Sequence, residues 1–197
     1  MTETSCPTDC AGAILIGGAA RRLGGMAKGL ININGRTVLQ HQLSQLRPRC
    51  VDTFLVGKAH PDYETVGLPI IPDVFVGRGS PGGVHAALHY ADSPWVLILA
   101  CDMPNITASM LDRLIAHRRH GDVIMYRCEE RNQPLVSLWR TSLVATLAQR
   151  LKSGGCNFQT FLEGIPVRYL DHPQPAAFAN LNTPDDLERL EKTAQKL

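Results

Sequence analysis

Two stretches of this sequence gather side chains that handle anions and metal ions. From Leu15 to Gly29 the chain reads Leu-Ile-Gly-Gly-Ala-Ala-Arg-Arg-Leu-Gly-Gly-Met-Ala-Lys-Gly. Gly17 and Gly18 let a ligand approach the backbone closely. Successive N–H groups of such a turn can cradle phosphate oxygens, and Arg21, Arg22 and Lys28 add positive charge. The spacing is neither that of a G-x-x-x-x-G-K-[ST] loop nor that of a G-x-G-x-x-G dinucleotide fingerprint. A tight turn after a strand would also use glycines, but two arginines and a lysine so close to a strand end favour anion binding. In the second stretch, Cys101-Asp102-Met103-Pro104 follows the apolar run Trp95–Ala100. A carboxylate there can supply part of a Mg²⁺ shell, with a triphosphate and waters supplying the rest. An aspartate before x-Pro can equally start a turn, and the residues alone leave both open.

Other groups are candidates on similar grounds. Asp73 ends Ile71-Pro72-Asp73, and Gly79-Ser80-Pro81-Gly82-Gly83 precedes a helical stretch. N–H groups at that helix start could meet a base or a phosphate, or merely open the helix. Asn180 and Asn182, two apart on an expected strand, point the same way. Arg21, Arg22, Arg127 and Arg131 could hold an acceptor phosphate. The seven histidines form no nucleophile-like arrangement. The six cysteines show neither C-x-x-C pairs nor zinc-ligand spacing and read as reduced thiols.

The elements that must position these groups alternate between apolar runs and amphipathic segments, the rhythm of βαβ units. Ala11–Ile16, Phe54–Val56, Pro69–Ile71, Trp95–Ala100, Asp122–Tyr126 and Leu135–Trp139 read as strands. Asn34-Gly35 marks a turn. Thr37 opens a helix with Gln40 completing a capping box; Leu39, Leu43 and Leu46 share its inner face, and Pro48 ends it. Further helices run from Gly82-Gly83 to Tyr90, from Thr107, and from Leu143 to Leu151, and a last one is capped by Thr183 and Asp186 with Pro184 at its first position. Near-continuous apolar strands imply a mostly parallel sheet covered on both faces. Ligands of such sheets bind beyond the carboxyl ends of the strands. The 17–28 loop, Asp73 and Asp102 all fall there.

At 197 residues and 44% hydrophobic, the chain suits one domain with a substantial core. Residues 1–10 read as a flexible tail and 11–197 as one domain, with a nucleotide-binding half over about 11–106 and an acceptor-binding half over about 107–197. A net charge of +2 argues against a nucleic-acid surface. With neither a signal peptide nor a membrane-length apolar stretch, the expectation is a cytoplasmic protein with no membrane partner.

The loop resembles the signature of nucleotidyltransferases that join a nucleoside monophosphate to a phosphorylated acceptor. It is most similar to the molybdenum cofactor guanylyltransferases, the MobA family. Leu15-Ile16-Gly17-Gly18, Arg21-Arg22-Leu23-Gly24-Gly25 and Lys28 follow that family's opening, with Ile16 for its alanine and Leu23 for its methionine. Cys101-Asp102-Met103-Pro104 resembles its Cys-Asp-x-Pro, Gly79–Gly83 its Gly-Pro-Leu-Ala-Gly, Gln133-Pro134-Leu135 its Gln-Pro-Leu, and Asn180–Pro184 its Asn-Val-Asn-Thr-Pro. Gly57 stands where the family tends to place an asparagine.

The resemblance implies a Rossmann-like, three-layer α/β nucleotidyltransferase fold. It implies a Mg²⁺-dependent enzyme that transfers GMP from GTP to the terminal phosphate of molybdenum-bearing molybdopterin and releases pyrophosphate. Implied catalytic residues are Lys28, Asp102 and Arg22, with Asp102 the metal ligand. Leu15, Ile16, Gly17, Gly18, Lys28, Asp73, Gly82 and Asp102 would bind the nucleotide; Gln133, Asn180 and Asn182 would bind the acceptor. Molybdoenzymes or other cofactor-biosynthesis proteins are conceivable partners. The alternatives are a related enzyme using CTP or a sugar phosphate, and a non-catalytic carrier of the pterin cofactor.

Overall fold

The computed structural model describes residues 9–17, 27–154, 157–183 and 185–188. Seven strands form one sheet: β1 (Cys10–Leu15), β4 (Asp52–Val56), β5 (Ile70–Ile71), β6 (Trp95–Ala100), β7 (Val123–Cys128), β8 (Arg131–Arg140) and β9 (Val167–Asp171), in the order β5-β4-β1-β6-β8-β7-β9. Every neighbouring pair is parallel except the two made by β8, which runs against β6 and β7. The sheet is therefore mostly parallel, as the apolar strands β1 and β6, buried at every position, require. A two-stranded hairpin, β2 (Asn32–Ile33) and β3 (Arg36–Thr37), lies apart and turns at Asn34-Gly35, both with positive φ.

Helices α1 (Val38–Leu46), α2 (Pro61–Glu64) and α4 (Ala108–Ala116) pack on one face of the sheet, joining Leu39, Leu43, Tyr63, Leu111 and Leu114 to Ile14, Leu97 and Leu99. On the other face, α3 (Gly79–Tyr90), α5 (Val144–Lys152) and α6 (Phe158–Leu162) set Val84, Leu88, Leu147, Leu151 and Phe161 against Ala13, Val96 and Ile98. Alternation along each strand divides these two cores. The Thr37/Gln40 capping box of α1 is formed in both directions. Asp186 Oδ2 accepts from the Asn182 and Thr183 N–H groups, and its own N–H donates to Thr183 Oγ1, so the last cap forms as well.

Several boundaries differ from the sequence reading. Cys10 is the first residue of β1, buried and paired with Trp95, rather than the last of a tail. The β7–β8 pair extends into a hairpin turning at Glu129-Glu130, with φ of +47° and +58°. Asn180 and Asn182 are not on a strand. Their segment is irregular, yet Leu181 between them is buried while both amides are exposed, which keeps the two on one side.

Candidate active site

β1 and β6 are adjacent and parallel, so their carboxyl ends open side by side. A short 3-10 turn, Lys28–Leu30, lies beside Cys101 at the end of β6. After β6 the chain bends at Cys101-Asp102. These two places bring Lys28 and Asp102 together: Lys28 Nζ lies 3.2 Å from Asp102 Oδ2, with side chains 16% and 18% exposed. The same ammonium donates to Asn182 Oδ1 at 2.5 Å. The Leu181 N–H donates to the Asp102 carbonyl at 2.8 Å, which moors the 180–182 segment to the bend.

A pocket of about 320 Å³ opens at this point. Leu15, Gly17, Lys28, Asp73, Asp102 and Asn180 line it, together with Val56, Gly57, Gly79, Ser80, Gly83, Cys101, Met103 and Leu135. Burial holds the Asp73 carboxyl above the usual carboxylate range. Burial, and next the neighbouring Asp102 charge, push the Cys101 thiol up to about 12, so it stays protonated at neutral pH and offers neither a nucleophile nor a thiolate ligand.

Two glycines shape the walls. A Cβ on Gly83 would come within 3.0 Å of Leu15 Cδ2, so a side chain there would have to push Leu15 aside where α3 packs on β1. Gly57 has φ of +143°, and a Cβ on it would meet the Gly17 nitrogen at 3.0 Å and Ile16 Cγ1 at 3.1 Å. An asparagine cannot occupy this place without displacing the Ile16-Gly17 backbone. Two of the departures from the resembled pattern, Ile16 and Gly57, thus lie against each other.

Not every sequence candidate reaches the pocket. Ile16 is buried and turned to Gly57 rather than to the cavity. Gly82 faces the Phe75 carbonyl, and it is Gly83 that lines the site. Gln133 donates to the Arg131 carbonyl at 3.4 Å, and Leu135, two residues on along β8, takes the place at the wall. Arg127 is bonded to Asp171 at 2.9 Å. Gly18, Arg21 and Arg22 lie outside the described residues.

Two further residues, absent from the sequence candidates, hold the charged pair from behind. Tyr63 is buried on α2, a helix opened by a His60 cap and Pro61, and its hydroxyl accepts from the Gly29 N–H at 3.1 Å, one residue past Lys28. Gln42, on the inner face of α1, donates from Nε2 to the Ala100 carbonyl (2.5 Å) and the Met103 carbonyl (3.1 Å), spanning the Asp102 bend. A polar residue on the Leu39-Leu43-Leu46 face was the sequence signal for Gln42. Tyr63 gave none, because its partner is 34 residues away.

Among the described residues, no three His, Cys, Asp or Glu side chains cluster as a metal site. One pocket carboxylate facing an ammonium suits a Mg²⁺ whose remaining ligands come from a triphosphate and water, and Asp102 is the residue that would hold it.

The profile of the MobA-like NTP transferase domain matches residues 12–169. Molybdenum cofactor guanylyltransferases of Yersinia pseudotuberculosis and Yersinia pestis are each 32% identical to this chain over 184 residues, covering 92% of it and 94% of the relative. A crystal structure of molybdopterin-guanine dinucleotide biosynthesis protein A from Archaeoglobus fulgidus superposes with a TM-score of 0.77 at 26% identity, covering 95% of this chain and 100% of that one. A 2-C-methyl-D-erythritol 4-phosphate cytidylyltransferase from Thermus thermophilus shares the fold alone, at a TM-score of 0.66 and 18% identity over 93% of this chain and 98% of that one. With the fold, the paired Lys28 and Asp102 and these relatives all in agreement, the chain belongs to the MobA-like NTP transferase domain family and is a nucleotidyltransferase.

Proposed function

We propose that this chain transfers GMP from GTP to the terminal phosphate of molybdenum-bearing molybdopterin. An oxygen of the acceptor phosphate attacks the α-phosphorus in line, the bond to the β-phosphate oxygen breaks, and pyrophosphate leaves. Two anions must meet, so positioning and charge neutralisation carry the rate and no protein nucleophile is required. The observation that carries the reading is the Lys28–Asp102 pair inside a pocket at the carboxyl ends of β1 and β6. Lys28 gives two of its three N–H donors to Asp102 and Asn182, and the third can reach a phosphate oxygen. Mg²⁺ bound at Asp102 would supply charge neutralisation at the phosphates. Asn180 lines the pocket and Asn182 accepts from Lys28, and both amides suit the acceptor. Asp73, raised in pKa where it lines the wall, can stand against the ribose or base. No described helix is long and apolar enough to cross a membrane.

The test is direct. Purified protein incubated with GTP, Mg²⁺ and molybdenum-loaded molybdopterin should release pyrophosphate and form the guanine dinucleotide, and EDTA should stop it. Calorimetric titration should show GTP binding more tightly than CTP or UTP. Pyrophosphate release with CTP in preference to GTP, or none with any nucleotide, would overturn the proposal.

A further inference from the structure

Transfer between two anions needs the metal-holding carboxylate at a fixed height, since a displacement of about 1 Å can cost about a hundredfold in rate. Asp102 sits on a two-residue bend, and bends of this kind flex unless something closes them. Gln42 closes it from α1. Its Nε2 donates to the carbonyl of Ala100 (2.5 Å), before the bend, and to that of Met103 (3.1 Å), after it. Gln42 is fully buried, and its Oε1 has no hydrogen-bond partner among the described residues. Its neighbours on α1's inner face are leucines, and a leucine or methionine there would bury equally well and remove the stranded Oε1, at the cost of the donor that the Ala100 and Met103 carbonyls share. The penalty for the unpartnered buried oxygen is similar in size to the gain from the two bonds, and what those bonds add is a fixed link between the carbonyls on either side of the bend.

We propose that Gln42 is a positioning residue for Asp102, fixing the separation of the Ala100 and Met103 carbonyls and so the direction in which the carboxylate leaves the sheet. The consequence reaches further along the chain. The Leu181 N–H donates to the Asp102 carbonyl and Asn182 accepts from Lys28, so a slack bend loosens the metal ligand, the lysine's second partner and the acceptor segment together. The catalytic arm of this inference rests on the function proposed above; the structural arm does not.

Gln42→Leu tests it, with Gln42→Met as the second variant should the branched side chain fail to fold. kcat for GTP-dependent pyrophosphate release should fall about tenfold to a hundredfold while KM for GTP moves by less than about threefold. Amide hydrogen exchange should accelerate at Leu181 and stay unchanged at Leu97 in the middle of β6. A general loss of stability would instead raise both exchange rates together. An unchanged kcat, or Leu181 exchange that rises no more than Leu97 exchange, overturns the proposal. If the unaltered protein releases no pyrophosphate from GTP, the function proposed above fails on its own, and the exchange comparison still decides the role of Gln42.

Discussion

Replacing Gly57 by alanine puts a number on how closely the Ile16-Gly17 backbone rests on the end of β4. The residue has φ of +143°, and the added Cβ would lie 3.0 Å from the Gly17 nitrogen and 3.1 Å from Ile16 Cγ1. Holding an L-residue in such a backbone region costs about 1–3 kcal/mol. The nearest atom is backbone, so the strain cannot be relieved by a rotamer change, and the Ile16-Gly17 peptide must shift by a few tenths of an ångström. For a chain of this size each kcal/mol lowers Tm by about 2–4 °C, which gives a fall of about 2–12 °C. Gly17 and Gly57 both line the pocket, so GTP affinity should drop by about tenfold, near 1.4 kcal/mol. Thermal unfolding followed by circular dichroism reads the first quantity and GTP calorimetry the second. Adding Ile16→Ala should recover part of the affinity, because it clears one of the two close contacts, while the backbone strain stays. A Gly57→Ala protein that melts within about 1 °C of the parent and binds GTP equally well would show that the loop does not rest on this glycine, and the account of the pocket's wall would be wrong.

Other perturbations probe the remaining parts. Asp102→Ala should leave the circular dichroism spectrum intact and lower turnover by about 10²–10³, and normal turnover would remove Asp102 from the mechanism. Tyr63→Phe strands the buried Gly29 N–H, which should cost about 1–3 kcal/mol and slow transfer by freeing the turn that carries Lys28; an unchanged melt would mean that amide finds another partner. Burial raises the Asp73 pKa, so folding favours its protonated form; that contribution is complete below the ordinary aspartate pKa and is lost as pH rises through the raised value. Asp73→Asn should therefore melt higher than the parent at neutral pH, with the gap closing on acidification. A gap that is constant from about pH 4 to 7 would contradict the assignment.

Local signals were the legible ones. The capping boxes at Thr37/Gln40 and Thr183/Asp186 each need only side chains three residues apart, and both are formed. Uninterrupted apolar runs marked β1 and β6, and with them the sheet end where Lys28 and Asp102 meet. The β7–β8 turn was hidden because Glu129 and Glu130 adopt positive φ, where asparagine or glycine would be expected. β9 sits at the sheet's edge with only Leu170 buried, which erases the alternation that marks a strand. Gln133 followed a motif, yet the wall at that step is made by Leu135, whose position depends on the register between β8 and β7. Tyr63 was silent because its hydrogen bond is long-range; sequence spacing carries no trace of a contact made by folding.

Asn182 meets Lys28 across 154 residues of chain. On a translating ribosome the lysine leaves the exit tunnel long before the amide that completes its surroundings. A nascent chain halted between Asp102 and Asn180 carries the ammonium and the carboxylate without the third member of the set. The Lys28–Asp102–Asn182 set is therefore completed late in synthesis.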